Sequence, residues 1–197
     1  MRPVPFLLVI LIALTCPPIG AQQASQNTSS SQPTGGILGR PSPPQPVQKQ
    51  GVEYFAGTWT FKWTGRESAF TPGPRTGTIT FTRLGDTPFL EYQARVTADG
   101  AGAYQESGTL GWHATQKVVA LHERLWGNVE ILSVGDWSSP ISIRLESSPI
   151  RVKDEMLRLR RTYGIVSGSS FTVSEEISVD GGAFVRLGGG VFTKTSK

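Results

Sequence analysis

Four charged side chains share strand faces with apolar ones, which makes them the residues of this chain best placed to do chemistry. Glu106 has the parity of Tyr104, Leu110 and Trp112, and Glu123 that of Val119 and Leu121. Glu175 runs with Phe171, Val173 and Ile177, and Arg161 with Leu157, Leu159 and Tyr163. Successive side chains of a strand point to opposite faces, so if the apolar faces turn inward these charges go with them. An unpaired charge in a dry interior is costly, so they must pair as internal salt bridges or meet solvent. Tyr92, on the face of Leu90, Ala94 and Val96, adds a phenol. Together they describe a polar patch within an aromatic pocket, the usual composition of a small-molecule site. The candidate ligand-binding residues are therefore Tyr92, Glu106, Trp112, Glu123, Arg161 and Glu175. Paired carboxylates also serve acid/base hydrolysis, at a separation that parity alone does not supply.

Other constellations are missing. His113 and His122 are the only histidines and Cys16 the only cysteine, with no His-Glu-x-x-His spacing, which argues against zinc. No Gly-x-Ser-x-Gly elbow positions a nucleophile. Gly188-Gly-Gly190 is followed by neither a helix nor the Gly-Lys-Ser/Thr of a phosphate loop. No catalytic residue and no metal ligand is assigned.

The elements that must position the candidates are short strands. Phe55, Trp59, Phe61 and Trp63 alternate with Thr58, Thr60, Lys62 and Thr64, an aromatic face against a wet one. Comparable segments follow at 76–83, 89–96, 104–112, 118–125, 129–137, 141–146, 155–163, 170–179 and 183–194. Turn signals separate them, Asp180-Gly-Gly182 being the strongest because its glycines accept positive φ. The triple glycine at 188–190 predicts a bulge or a sharp bend. Ten strands joined by short turns, with no convincing helix, point to a single up-and-down antiparallel β-barrel over 52–197, closed because closure removes exposed edges.

Ahead of the barrel, Arg2 and the apolar run Phe6–Leu14 lead to Pro17-Pro-Ile-Gly-Ala21. The run is well short of the about 20 residues that span a bilayer, so residues 1–21 read as a secretory signal peptide cut after Ala21. The competing reading lipidates Cys16. Residues 22–51 read as a disordered Gln/Ser/Pro-rich linker. The protein is thus expected to be exported, periplasmic or extracellular, with no transmembrane segment. Loss of Arg2 takes the formal charge from +4 to +3. The basic group Arg151, Lys153, Arg158, Arg160 and Arg161 is interrupted by Asp154 and Glu155, so no nucleic-acid partner is expected. The residues specify no oligomeric state.

Gly57-Thr-Trp59 is similar to the Gly-x-Trp signature of lipocalin-like (calycin) barrels. More broadly, the chain resembles a family of exported bacterial lipocalin-like domains of unknown function. The likeness lies in Leu90-Glu-Tyr92, Ser107-Gly-Thr-Leu-Gly-Trp112, Ser178-Val-Asp-Gly-Gly-Ala-Phe-Val185 and Gly190-Val-Phe-Thr-Lys194, within 53–194. It implies a calycin-type barrel and no particular reaction. It also implies that a basic residue of the last strand, Arg186 or Lys194, packs across Trp59 and closes one end, giving Gly57, Trp59 and Arg186 a structural role. A guanidinium over an indole contributes about 0.5–2 kcal/mol. The broader superfamily includes nitrobindin-like barrels that hold haem through one histidine. Neither His113 nor His122 lies in the C-terminal strand region where that ligand is expected, so no cofactor is assigned, haem included.

These readings converge on a non-catalytic exported barrel that binds a small, partly apolar or amphiphilic ligand inside. The alternatives are a cell-envelope protein-interaction module with a packed barrel, and a small-molecule enzyme using interior carboxylates.

Overall fold

The computed structural model describes residues 50–195. The expected signal peptide, Cys16 and all of the expected linker except Gln50 and Gly51 lie outside the described residues. A 3-10 turn at Val52–Phe55 precedes β1 (Gly57–Gly65), β2 (Arg75–Arg83), β3 (Phe89–Ala98), β4 (Gly102–His113) and β5 (Val118–Arg124). A second, at Trp126–Asn128, leads to β6 (Glu130–Ser139), β7 (Ser142–Ser147), β8 (Ile150–Val152), β9 (Glu155–Ser167), β10 (Ser170–Val179) and β11 (Val185–Lys194). Antiparallel pairing links β1 through to β7 in order, then β7 to β9, β9 to β10 and β10 to β11, and β11 pairs with β1. The sheet therefore closes into a ten-stranded up-and-down barrel, with β8 as one extra strand.

The extra strand is the main departure from the sequence reading. β7 and β8 both pair with the same edge of β9, Glu146 opposite Arg160 and then Ile150 opposite Leu157. Ser148-Pro149 interrupts what would otherwise be one strand, because proline brings no N–H to the ladder. Ser147 bridges the gap: its Oγ accepts from the backbone N–H of Leu159 at 2.9 Å.

The alternating faces sort as the chemistry requires. Trp59, Trp63, Ile79, Phe81, Leu90, Tyr92, Leu121, Leu159 and Phe171 are buried in one core. The threonines of β1 and β2 face outward, Thr58 and Thr80 sharing a hydroxyl contact at 3.1 Å. Phe171 packs edge-on against Trp59 at 4.8 Å and stacks on Phe192 at 4.5 Å. Phe55, from the first 3-10 turn, and Phe70, from the loop between β1 and β2, are buried beyond opposite ends of β1. The turn is pinned by Trp59, whose indole N–H donates to the Phe55 carbonyl at 2.7 Å.

Two glycine positions carry specific geometry. Gly57 holds φ at 115°, and a Cβ there would come within 3.1 Å of the Lys194 side chain. Asp180 and Gly181, at φ 50° and 76°, give the hairpin between β10 and β11 the two positive φ values of a primed turn. The bulge expected near 188–190 falls at its leading edge. Glu175 pairs with Gly188 but Glu176 with Arg186, leaving Leu187 as the extra residue.

Candidate interior binding site

β5, β9 and β10 bring three of the candidate charges together inside the barrel. Arg161 is central. Its Nη1 donates to Glu123 Oε2 at 2.5 Å and its Nε to Glu175 Oε1 at 2.9 Å. Tyr92 donates its phenol proton to the other oxygen of Glu123 at 2.7 Å, and Arg161 Nη1 also reaches the Tyr163 hydroxyl at 3.3 Å. All five side chains are buried. The register explains the meeting: Arg161 lies directly opposite Glu175 across the β9–β10 ladder. Glu123 reaches Arg161 across the barrel interior, since β5 and β9 do not pair.

Burial pushes the Tyr92 and Tyr163 hydroxyls well above the ordinary phenol range; for Tyr92 the Glu123 charge adds to it. Burial works against the Arg161 charge, but Glu123, Tyr163 and Glu175 outweigh it, so its proton is held more tightly than usual. The cluster is a fixed ion network. Removing one member of such a network strands its partners in a dry interior.

Glu106 stands apart from it. Half-buried on β4, it has one carboxylate oxygen, Oε1, that is buried without a hydrogen-bond partner. Burial raises its pKa to about 7, against a lowering by Arg75 and with a further rise from Glu123. Arg75, the first residue of β2, is buried with its guanidinium 4.2 Å above the Trp63 ring and 3.9 Å from Glu175 Oε2. It also donates to the Thr71 hydroxyl. Among the described residues, the buried Arg75 Nε and Trp63 Nε1 have no hydrogen-bond partner.

These groups border a cavity of about 50 Å³ walled by Phe61, Ile79, Phe81, Leu121, Phe171 and Phe192. The apolar wall and the charged rim meet in one space: Trp63, Arg75, Tyr92, Glu106, Glu123, Arg161 and Glu175 all line it. An apolar cavity of about 150 Å³ admits benzene, and one water needs about 10–15 Å³. This space therefore has room for a few heavy atoms.

Of the expected ligand-binding residues, the structure thus brings Tyr92, Glu106, Glu123, Arg161 and Glu175 to one cavity. Trp112 is elsewhere. It is part-buried near the end of β4, opposite Val119, and does not line the cavity. Arg186 is also displaced from its expected role. It is exposed, and the cation over Trp59 is Lys194, with Nζ 5.1 Å from the ring centroid. The reason is register, since Lys194 lies opposite Trp59 while Arg186 has already passed the end of the β1 ladder. The basic group divides: Arg161 enters the barrel, whereas Arg160 stays outside, 3.1 Å from Glu146 and 3.6 Å over Phe184.

Sequence reasoning missed Arg75, Trp63 and Tyr163 as members of the site. Arg75 has the parity of Ile79 and Phe81, and a β2 begun one residue earlier would include it.

No family model and no curated protein matches the chain. Among solved structures, Rv2717c from M. tuberculosis is similar at a TM-score of 0.57 and 20% identity, over 74% of this chain and 95% of that one. The two share a fold. A redesigned beta barrel, b11L5F_LGL, is similar at a TM-score of 0.42 and 11% identity, over 76% and 98% of the two chains. EF1p2_mFAP2b bound to DFHBI gives 0.42 and 10%, over 75% and 99%.

Proposed function

We propose that the chain is an exported lipocalin-like barrel that binds a small, partly apolar molecule in its interior and does no chemistry on it. One observation carries the reading: an aromatic cavity whose rim holds buried polar atoms that no group among the described residues satisfies. Such atoms are expensive unless something pairs with them, and a bound molecule would. Lys194 over Trp59, beside the positive φ of Gly57, supports the lipocalin-like part. The leader at 1–21 supports export. Acid/base work by paired carboxylates is less favoured, because Glu123 and Glu175 are both bound to Arg161.

Drug-sized ligands occupy about 300–1,000 Å³, so the cavity selects for molecules of a few heavy atoms. Titrating a library of such fragments against tryptophan emission and melting temperature tests the reading. A true ligand at 100 times its Kd stabilises the fold by about 2.7 kcal/mol. Ala94 lines the cavity, so Ala94→Leu should abolish the response. The small volume is also what favours the second reading, a packed barrel acting through its outer surface in the cell envelope. A library with no effect on either signal would leave that reading standing and remove the first.

A further inference from the structure

Resting on the interior-binding reading, we infer that the cavity end formed by Trp63, Arg75 and Glu106 is a subsite for an uncharged carboxamide- or urea-type group. Three independent properties of the site converge on that class.

The first is charge. Two cations, Arg75 and Arg161, and three carboxylates, Glu106, Glu123 and Glu175, line the cavity. Glu123 and Glu175 are taken up by Arg161, and Glu175 also lies 3.9 Å from Arg75. Those two cations and two anions cancel. Only Glu106 is left over, and its protonation brings the interior to neutrality. An anionic ligand would sit among carboxylates, and a cationic one would sit against Arg75. An uncharged group disturbs neither balance.

The second is the pattern of unsatisfied atoms. Trp63 Nε1 and Arg75 Nε carry N–H groups that can only donate. They belong to neighbouring side chains, with the Arg75 guanidinium carbon 4.2 Å from the Trp63 ring centroid, and only an acceptor such as an oxygen can satisfy them. Glu106 Oε1 can accept. A carbonyl oxygen with an adjacent N–H satisfies both kinds of demand at once; an ether or ketone satisfies only one. The third is size. A cavity of about 50 Å³ suits three or four heavy atoms, the size of acetamide or urea.

The test uses the full chain and three size-matched probes, acetamide, acetate and ethylammonium, at pH 7, with propane as an apolar control of the same size. The readout is the Trp63 indole N–H resonance, assigned by its loss in Trp63→Phe. Acetamide should shift it saturably, with an affinity at least tenfold above either ion. Trp63→Phe keeps an aromatic ring and should weaken acetamide several-fold by a second signal, the melting temperature. Arg75→Met should abolish binding; if that variant fails to fold, the Trp63→Phe result decides. Acetate or ethylammonium binding as well as acetamide would overturn the uncharged class and leave interior binding intact. Propane shifting interior resonances while acetamide shifts none would overturn the subsite alone. Silence from all four would mean a cavity holding water only, and would end both this inference and the reading beneath it.

Discussion

Arg161 neutralises two carboxylates at once, and its removal is the sharpest single perturbation available. Arg161→Met should cost about 3–5 kcal/mol in urea unfolding, the usual consequence of leaving buried charges unpaired. Adding Glu123→Gln and Glu175→Gln to it should recover most of that loss. A triple variant no better than the single one would mean that packing, not charge, accounts for the effect. Glu106 makes a prediction of opposite sign to most carboxylates. Its pKa is about 7 in the folded protein against an ordinary value of 4.5. Between those values the native state binds more protons than the unfolded chain, so stability falls as pH rises from about 4.5 to 7. A tenfold difference in proton affinity between the two states corresponds to about 1.4 kcal/mol, and the total loss should be about 1–3 kcal/mol. Glu106→Gln should flatten that slope and stabilise the protein at pH 8; an unchanged slope would show that another group sets it.

Strand β11 shows how tightly the barrel's parts are fitted to one another. A Cβ on Gly188 would lie 2.4 Å from the Trp63 ring and 2.5 Å from the Thr64 carbonyl. Gly188→Ala should therefore cost about 1–3 kcal/mol, as overpacking does, with a changed near-ultraviolet signal from Trp63. At the other end of the strand, Lys194→Ala should cost about 0.5–1 kcal/mol through the lost cation–π contact. Arg186→Ala should cost almost nothing, because Arg66 binds the Arg186 backbone carbonyl rather than its side chain. Equal losses at both positions would refute the placement of Lys194 over Trp59. Much of this architecture is legible in the residues, since period-two alternation fixes which side chains face inward. Parity alone places Glu123, Arg161 and Glu175 inside. What parity does not carry is register, and register decides the rest. It moves the cation over Trp59 from Arg186 to Lys194, leaves Trp112 away from the cavity, and sets Glu175 opposite Arg161. The Ser148-Pro149 interruption is visible as a proline, but its consequence depends on which edge β7 and β8 share.

Every ladder in the barrel but one joins strands that are near neighbours in sequence. The exception is β1 with β11, where Trp59 lies opposite Lys194. A chain truncated after Asp180 would leave the edges of β1 and β10 bare, the arrangement that invites pairing between molecules. It should lose cooperative unfolding and associate on a sizing column; a monomeric, cooperatively unfolding fragment would show that closure is dispensable. Bringing those two strands together costs about 4 kcal/mol in loop entropy. Because synthesis runs from the amino end, the partner of the first ribbon is the last to be made. A nascent chain must carry an open seam along Trp59–Gly65 until Lys194 has been added, so the period of greatest exposure to wrong partners ends only with the final ladder.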